Sequence, residues 1–223
     1  MKGDSMGFQI NRENGGSGAF LRLVCLTKRL PSKSISLSCS VERAGTLALL
    51  GPSGCGKSTV LKMIAGLLPA DSGNLFLNGH DITDEPVKNR SVGMVFQDYA
   101  LFPHISVEDN VAYGLLCNGM SKMQAREEIA CWLKVFELDR IKKLYPHEIS
   151  GGEKQRVSLA RSLAIGNRLI LFDEPLSALD SKLRKKLQEE LKRHQKSLGY
   201  SAIYVTHDES EADILADKVL YIE

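Results

Sequence analysis

The stretch TLALLGPSGCGKST, residues 46–59, joins a short apolar run to a glycine-rich turn. The apolar run predicts a buried strand, and VLKMIAGLL at 60–68 predicts a helix. The turn between them has the pattern G-x-x-x-x-G-K-[ST], whose glycines let successive backbone N–H groups point at phosphate oxygens. The Lys57 ammonium is expected to reach the β- and γ-phosphates, and the Ser58 hydroxyl is expected to hold Mg²⁺. The predicted phosphate loop consists of Gly51, Pro52, Ser53, Gly54, Cys55, Gly56, Lys57, Ser58 and Thr59.

A second apolar run ends in two carboxylates. Residues 169–174 read Leu-Ile-Leu-Phe-Asp-Glu, which predicts a buried strand followed by acids. Ligands of α/β sheets bind at the carboxyl ends of the strands, so these acids should lie beside the phosphate loop. Asp173 is expected to hold Mg²⁺ through water, and Glu174 to act as a general base on the attacking water. His207 follows another apolar run at the same sheet edge and is expected to contact the γ-phosphate or to orient the water.

The segment Ser150-Gly151-Gly152-Glu153 predicts a second anion site. Ser150 and Glu153 form a capping box, which predicts that a helix begins here and runs over 152–165. A cap does not require two consecutive glycines, and their backbone N–H groups at a helix N-terminus favour anion binding. Two phosphate sites in a chain with one nucleotide per active site indicate that two chains combine.

Strands and helices alternate along most of the chain. The predicted strands lie at 20–26, 34–41, 46–50, 74–79, 92–96, 168–172, 201–205 and 218–222. The predicted helices lie at 58–67, 106–117, 121–136, 152–165, 181–197 and 208–216. This alternation predicts an α/β fold with a mostly parallel sheet, and the early strands predict an added antiparallel sheet. Residues 1–19 are polar and glycine-rich and are expected to form a flexible leader.

Composition excludes several classes of protein. Of the 223 residues, 43% are hydrophobic and 25% are charged, which is typical of a globular domain and argues against disorder. Lys and Arg number 29 against 27 Asp and Glu, so the chain lacks the basic excess of many nucleic-acid binders. No apolar run approaches the roughly 18 residues that span a bilayer. The five scattered cysteines contain no CxxC pair and are expected to be reduced thiols.

The motifs, in this order, resemble those of the ATP-binding cassette (ABC) ATPases over residues 20–223. GPSGCGKST resembles the Walker A loop, ISGGE the signature and LILFDEP the Walker B strand. Gln97 in VFQDYALFPH resembles the Q-loop glutamine, Asp180 in SALD the D-loop aspartate and His207 the switch histidine. FQDYALFPHISVEDNVAYGL and DEPLSALD are similar to bacterial importer subunits that serve sugars, polyamines, iron, sulfate or molybdate. The resemblance implies a P-loop NTPase (RecA-like) core, an antiparallel β-subdomain and a helical subdomain inserted at about 100–165.

The resemblance also implies a function. The chain would be an ATPase that uses ATP and Mg²⁺ and forms a head-to-tail homodimer. Each ATP would lie between Walker A of one subunit and Ser150–Glu153 of the other, with Asp180 close by. Gln97 would contact Mg²⁺, and the following loop, 99–104, would border a groove for a permease helix. The implied partners are a second ATPase subunit, transmembrane permease subunits and, through these, an extracytoplasmic substrate-binding protein, but no nucleic acid. The implied location is peripheral, on the cytoplasmic face of the cell membrane.

The chain departs from the family pattern at three places. The signature has Ile149 and Glu153 where the family commonly has Leu and Gln. Leu30 stands where the family usually has an aromatic residue that stacks on adenine, so only apolar contact and weak base selectivity are expected. Importers of this group often carry a C-terminal regulatory domain, whereas this chain stops at Glu223, at the end of a predicted strand.

Two other functions also use a phosphate loop. A DNA-repair or ribosomal ABC ATPase usually contains a long coiled coil or a second cassette, and no sustained heptads lie between Walker A and the signature here. A small-molecule kinase would have no use for the SGGE segment, the D-loop or His207.

Overall fold

The computed structural model describes residues 19–177 and 181–222, except the side chain of Leu183. The predicted leader (apart from residue 19) and Asp180 therefore lie outside the described residues. The strands are β1 Leu21–Leu30, β2 Lys33–Val41, β3 Thr46–Leu50, β4 Ser72–Leu77, β5 His80–Asp81, β6 Val92–Val95, β7 Leu169–Asp173, β8 Ser201–Thr206 and β9 Lys218–Tyr221. The helices are α1 Lys57–Ala65, α2 Val107–Cys117, α3 Lys122–Val135, α4 Gly151–Ala164, α5 Ser181–Leu198 and α6 Glu209–Leu215.

The central sheet is parallel and has the strand order β6-β7-β8-β3-β9. This arrangement confirms the predicted α/β fold. The phosphate loop follows β3, the two carboxylates come at the end of β7, and His207 follows β8. Because β7, β8 and β3 are neighbours and run in the same direction, their carboxyl ends meet at one edge of the sheet.

Both faces of the parallel sheet are covered. In β7, Leu169 and Leu171 belong to a core cluster that also contains α1 and the antiparallel sheet. Ile170 and Phe172 point to the other face, where α2, α3, α4 and α5 pack. Side chains alternate between the faces of a strand, so burial on both faces requires the uninterrupted apolar run that the sequence has here.

A second, antiparallel sheet has the order β2-β1-β4-β5, as the early strands predicted. The pairing of β1 is interrupted between Leu23 and Leu26, where Cys25 has a φ of +46°. The extra residue of such a bulge bends the strand. The sheet therefore curves over the face of the core that carries α1.

The helix after the phosphate loop ends earlier than the predicted 58–67. It stops at Ala65 because Gly66 takes a φ of +78° and its N–H donates to the carbonyl oxygen of Met63, 3.1 Å away. Such a left-handed glycine ends a helix at low steric cost. Among the described residues, no helix is long and apolar enough to cross a membrane.

Candidate active site

The phosphate loop approaches other backbone segments too closely for side chains. A Cβ on Gly51 would lie 2.0 Å from the carbonyl oxygen of Ile222, and one on Gly56 would lie 2.2 Å from Cδ1 of Ile35. Gly56 also has a φ of +117°, which strains any residue with a Cβ. Space therefore requires glycine at position 51, and the left-handed backbone conformation requires it at position 56.

Lys57 begins α1 and is buried, with 4% of its surface exposed. Its ammonium donates hydrogen bonds to the carbonyl oxygens of Gly51 at 2.8 Å and Pro52 at 2.9 Å. The ammonium is thus held inside the loop by the loop's own backbone. A phosphate group that enters the loop offers it stronger, charged acceptors.

Ser58 and Asp173 meet across the sheet edge. The Ser58 hydroxyl donates to Oδ1 of Asp173 at 2.7 Å. Adjacent hydroxyl and carboxylate oxygens are the hard ligands that Mg²⁺ prefers, and Mg²⁺ usually takes few protein ligands beside phosphates and water. The donor set therefore fits Mg²⁺. Among the described residues, no group of three or more His, Cys, Asp or Glu side chains could hold a metal by itself.

Glu174 lies next to His207. Nδ1 of His207 is 3.4 Å from Oε2 of Glu174, and both side chains are partly open to solvent. The backbone of Glu174 has a φ of +46°, and its N–H donates to the carbonyl oxygen of Val205 in β8 at 3.0 Å. A left-handed backbone conformation costs free energy for any residue other than glycine. The hydrogen bond to β8 holds Glu174 in this conformation, and such strained residues are common at functional sites.

Gln97 is joined to the segment after Glu174 rather than to Ser58 or Asp173. Its amide donates to the Ser177 hydroxyl at 3.0 Å, and that hydroxyl donates to the Glu174 carbonyl oxygen at 3.0 Å. The chain of hydrogen bonds connects the loop after β6 to the loop after β7. The expected contact of Gln97 with Mg²⁺ stays a prediction.

The segment Ser150–Glu153 starts α4 with the predicted capping box. The Ser150 N–H and hydroxyl donate to Oε2 of Glu153 at 2.8 and 2.7 Å. These hydrogen bonds lower the pKa of Glu153 below its ordinary value. Ile149 packs on the face of the parallel sheet opposite to that of Cys55, so the signature segment and the phosphate loop belong to different core clusters.

Two hydrogen-bonded contacts of this region were not predicted from the sequence. Lys33 donates a hydrogen bond to the Gly54 carbonyl oxygen of the phosphate loop. Arg161 donates to the carbonyl oxygens of Tyr99 and Ala100, shortly after Gln97. Neither contact leaves a local signal in the sequence, because each joins residues that are far apart along the chain.

The described cysteines form no disulfide, in agreement with the expected reduced thiols. Cys55 is buried within the phosphate loop. Burial also raises the pKa of the Cys39 thiol to about 12, which keeps it protonated at neutral pH.

Comparison with known proteins gives consistent matches. A family model described as ABC transporter matches residues 35–177. The Fe(3+) ions import ATP-binding protein FbpC of Pasteurella multocida is 43% identical over 203 residues, which are 90% of this chain and 58% of the relative. The spermidine/putrescine import ATP-binding protein PotA of Marinobacter nauticus is 44% identical over 205 residues, which are 91% of this chain and 55% of the relative. The chain thus spans less than two thirds of the length of these curated relatives.

Two solved structures share the fold. One is the dimer of an ATP-binding cassette in a post-hydrolysis state, bound to ADP and Pi. It is 30% identical, with a TM-score of 0.76 over 91% of this chain and 94% of that chain. The other is CbiO1 of Clostridium perfringens, part of the CbiONQ transporter complex. It is 26% identical, with a TM-score of 0.82 over 93% of this chain and 86% of that chain.

Proposed function

This chain belongs to the ABC transporter family, and we propose that it is an ATP-hydrolysing subunit that powers a membrane importer. One observation carries the proposal. The carboxyl ends of three neighbouring strands bring together the phosphate loop, the Ser58–Asp173 contact at 2.7 Å and the Glu174–His207 contact at 3.4 Å. This set contains a phosphate cradle, a site for a hard cation and a carboxylate beside a histidine.

Binding begins with an exchange of hydrogen bonds at the phosphate loop. The Lys57 ammonium breaks its hydrogen bonds to the carbonyl oxygens of Gly51 and Pro52 and donates to the β- and γ-phosphates instead. The backbone N–H groups of the loop and the N-terminus of α1 hold the remaining phosphate oxygens. Ser58 and Asp173 hold Mg²⁺, which neutralises charge on the phosphates when it is bound.

Hydrolysis then requires a base for the attacking water. Glu174 accepts the proton of that water, since it lies beyond the end of β7, at the edge of the sheet that carries the phosphate loop. His207 orients the Glu174 carboxylate from 3.4 Å and is placed to contact the γ-phosphate. Gln97, linked to the same loop through Ser177, senses whether nucleotide and cation are present.

A second copy of the chain completes each site. The N–H groups of Gly151 and Gly152, at the N-terminus of a 14-residue helix, form an anion site that packs on the opposite face of the sheet from the phosphate loop. In a head-to-tail homodimer this anion site faces the γ-phosphate bound by the other subunit. A similar solved structure is a dimer bound to ADP and Pi, which supports a dimer of this chain.

The permease docks beside the Gln97 loop. Phe102 and Tyr113 have ring centroids 4.2 Å apart, and Ile165 lies beside Gly114, the residue after Tyr113. Phe102, Tyr113 and Ile165 are 39%, 41% and 38% exposed, and a group of exposed apolar side chains often marks a protein–protein interface. We infer that a cytoplasmic helix of the permease covers this patch.

The subunit therefore lies peripherally on the cytoplasmic face of the cell membrane. The printed names of the relatives concern import of Fe(3+) ions and of spermidine and putrescine. By analogy, substrate arrives through an extracytoplasmic binding protein, and the permease and that protein select it. ATP stabilises the closed dimer, and hydrolysis removes that stabilisation.

Glu174→Gln tests the proposal. It should lower the ATPase kcat by at least about 100-fold, because the base is lost. Binding of MgATP should be retained, and a dimer should accumulate with ATP in size-exclusion chromatography. Glu209→Gln is the matched control, since it removes the same charge from an exposed helix position. Normal hydrolysis by Glu174→Gln contradicts the catalytic role, and an absence of hydrolysis in the unaltered chain contradicts the proposed function.

A further inference from the structure

A cation from the antiparallel sheet reaches the phosphate loop. Lys33 is the first residue of β2 and pairs with Leu30 across the two-residue turn Pro31–Ser32. Its ammonium donates a hydrogen bond to the carbonyl oxygen of Gly54. The Lys33 side chain extends from the β1–β2 turn of the antiparallel sheet to the phosphate loop, which follows β3 of the parallel sheet.

The strand that carries Lys33 is fixed against the same loop. Ile35, two residues further on and on the same face of β2, is 5% exposed. A Cβ atom on Gly56 would lie 2.2 Å from the Cδ1 atom of Ile35. The position of the Lys33 backbone relative to the phosphate loop is therefore set by core packing, and only the flexible side chain is free to move.

The phosphate loop is open where Lys33 touches it. Gly54 has a φ of +81°, and a Cβ placed on it would meet no atom within 4 Å. A lysine ammonium has three donors, and among the described residues one of them is used, on the Gly54 carbonyl oxygen. The other two donors have no partner among the described residues and are therefore available to a phosphate chain bound in the loop.

The same turn presents no aromatic ring. Residues 28–33 read Lys-Arg-Leu-Pro-Ser-Lys, and Leu30 is partly buried against the core cluster that contains α1. The group of this turn that reaches the nucleotide site is thus a positive charge. Charge attracts phosphates of any nucleotide, whereas stacking would depend on the base.

We propose that Lys33 is a further nucleotide-binding residue that contacts the phosphate chain from outside the phosphate loop. This inference rests on the proposed function, because it places a second cation, besides Lys57, on the nucleotide that the loop binds. The number of phosphates then governs affinity more strongly than the identity of the base. ATP and GTP should bind within a few-fold of each other, and AMP should bind far more weakly.

Titration calorimetry with MgATP, MgGTP and AMP tests the inference. Lys33→Ala should weaken binding of MgATP and MgGTP by the same factor, about tenfold, since one charge-assisted hydrogen bond is lost from each. Raising the salt concentration should weaken binding to the unaltered chain more than binding to Lys33→Ala. Lys62→Ala, which removes an exposed lysine from α1, is the matched control and should bind within twofold of the unaltered chain.

Lys33→Met serves as a second variant, because it keeps the length of the side chain, and a thermal melt without nucleotide verifies that each variant is folded. Unchanged affinity in a folded Lys33→Met overturns the inference while leaving the proposed function intact. A loss for MgATP without a loss for MgGTP also overturns it, because that pattern would mean base recognition. If the unaltered chain binds no nucleotide, the proposed function itself fails.

Discussion

The guanidinium of Arg161 donates a hydrogen bond to the Tyr99 carbonyl oxygen at 3.1 Å and so joins α4 to the segment after Gln97. It donates a second one to the carbonyl oxygen of Ala100 at 2.8 Å, and it lies 5.6 Å from the centre of the Phe102 ring. Tyr99 and Ala100 have φ values of +63° and +43°, so two successive residues are in the left-handed region. Such residues cost on the order of 1–3 kcal/mol each and persist only where their surroundings hold them.

Arg161→Ala should release this segment. We expect a loss of about 2 kcal/mol in the free energy of unfolding, because two hydrogen bonds from a charged, half-buried donor disappear. Urea unfolding measures the loss, and limited proteolysis should cut within residues 97–104 more readily. Arg161→Lys keeps the charge but lacks the planar guanidinium. Its free energy of unfolding should lie between those of Arg161→Ala and the unaltered chain. Equal protease resistance in Arg161→Ala and the unaltered chain would show that other contacts hold the segment.

Glu153 gives the fold a pH dependence of known sign. Hydrogen bonds from Ser150 lower the pKa of Glu153 in the folded chain below its unfolded value. Its contribution to stability is therefore complete above the ordinary pKa and is lost as the pH falls through the folded value. Glu153→Gln keeps a capping side chain that does not titrate. Its melting temperature should drop less between pH 6 and about pH 3 than that of the unaltered chain. An equal drop in melting temperature for the two chains would contradict this.

Asp173→Asn should abolish the benefit of Mg²⁺ for ATP binding. The unaltered chain should bind ATP more tightly with Mg²⁺ than with EDTA, since Ser58 and Asp173 supply adjacent hard oxygens. In Asp173→Asn the two dissociation constants should agree within about twofold, because the charged ligand is gone. Asp139→Asn, at an exposed position, should behave like the unaltered chain. A full Mg²⁺ effect in Asp173→Asn would place the cation elsewhere.

Arg90 should tolerate no substitution, lysine included. Its buried guanidinium donates to the carbonyl oxygens of Met63 and Ile64 in α1 and to those of Thr83 and Glu85 in the loop after β5. Lysine cannot span these four acceptors, so Arg90→Lys should cost about 2–4 kcal/mol in the free energy of unfolding. The exposed neighbour Lys88, changed to Ala, should cost less than about 0.5 kcal/mol. Denaturant unfolding of both variants checks the contrast.

Local patterns predicted which strand ends carry the candidate site residues. The apolar runs of β3, β7 and β8 correctly predicted buried strands. As expected, Asp173 ends β7, Glu174 follows it, and His207 follows β8. The end of α1 was wrong by two residues because Gly66 ends the helix. The contacts of Lys33 and Arg161 could not be predicted, since each depends on how two distant segments pack. Leu30 lies in β1, beyond the predicted strand 20–26, and its packing against the core is a tertiary property.

The four hydrogen bonds of Arg90 have a mechanical consequence. They tie the last turn of α1 to the loop that leaves the antiparallel sheet, so we expect this sheet and α1 to move as one unit. In the proposed dimer, a rotation of that unit would carry the backbones of Lys33 and Lys57 along together. Their separation would then stay constant while the two flexible side chains adjust to a bound phosphate chain.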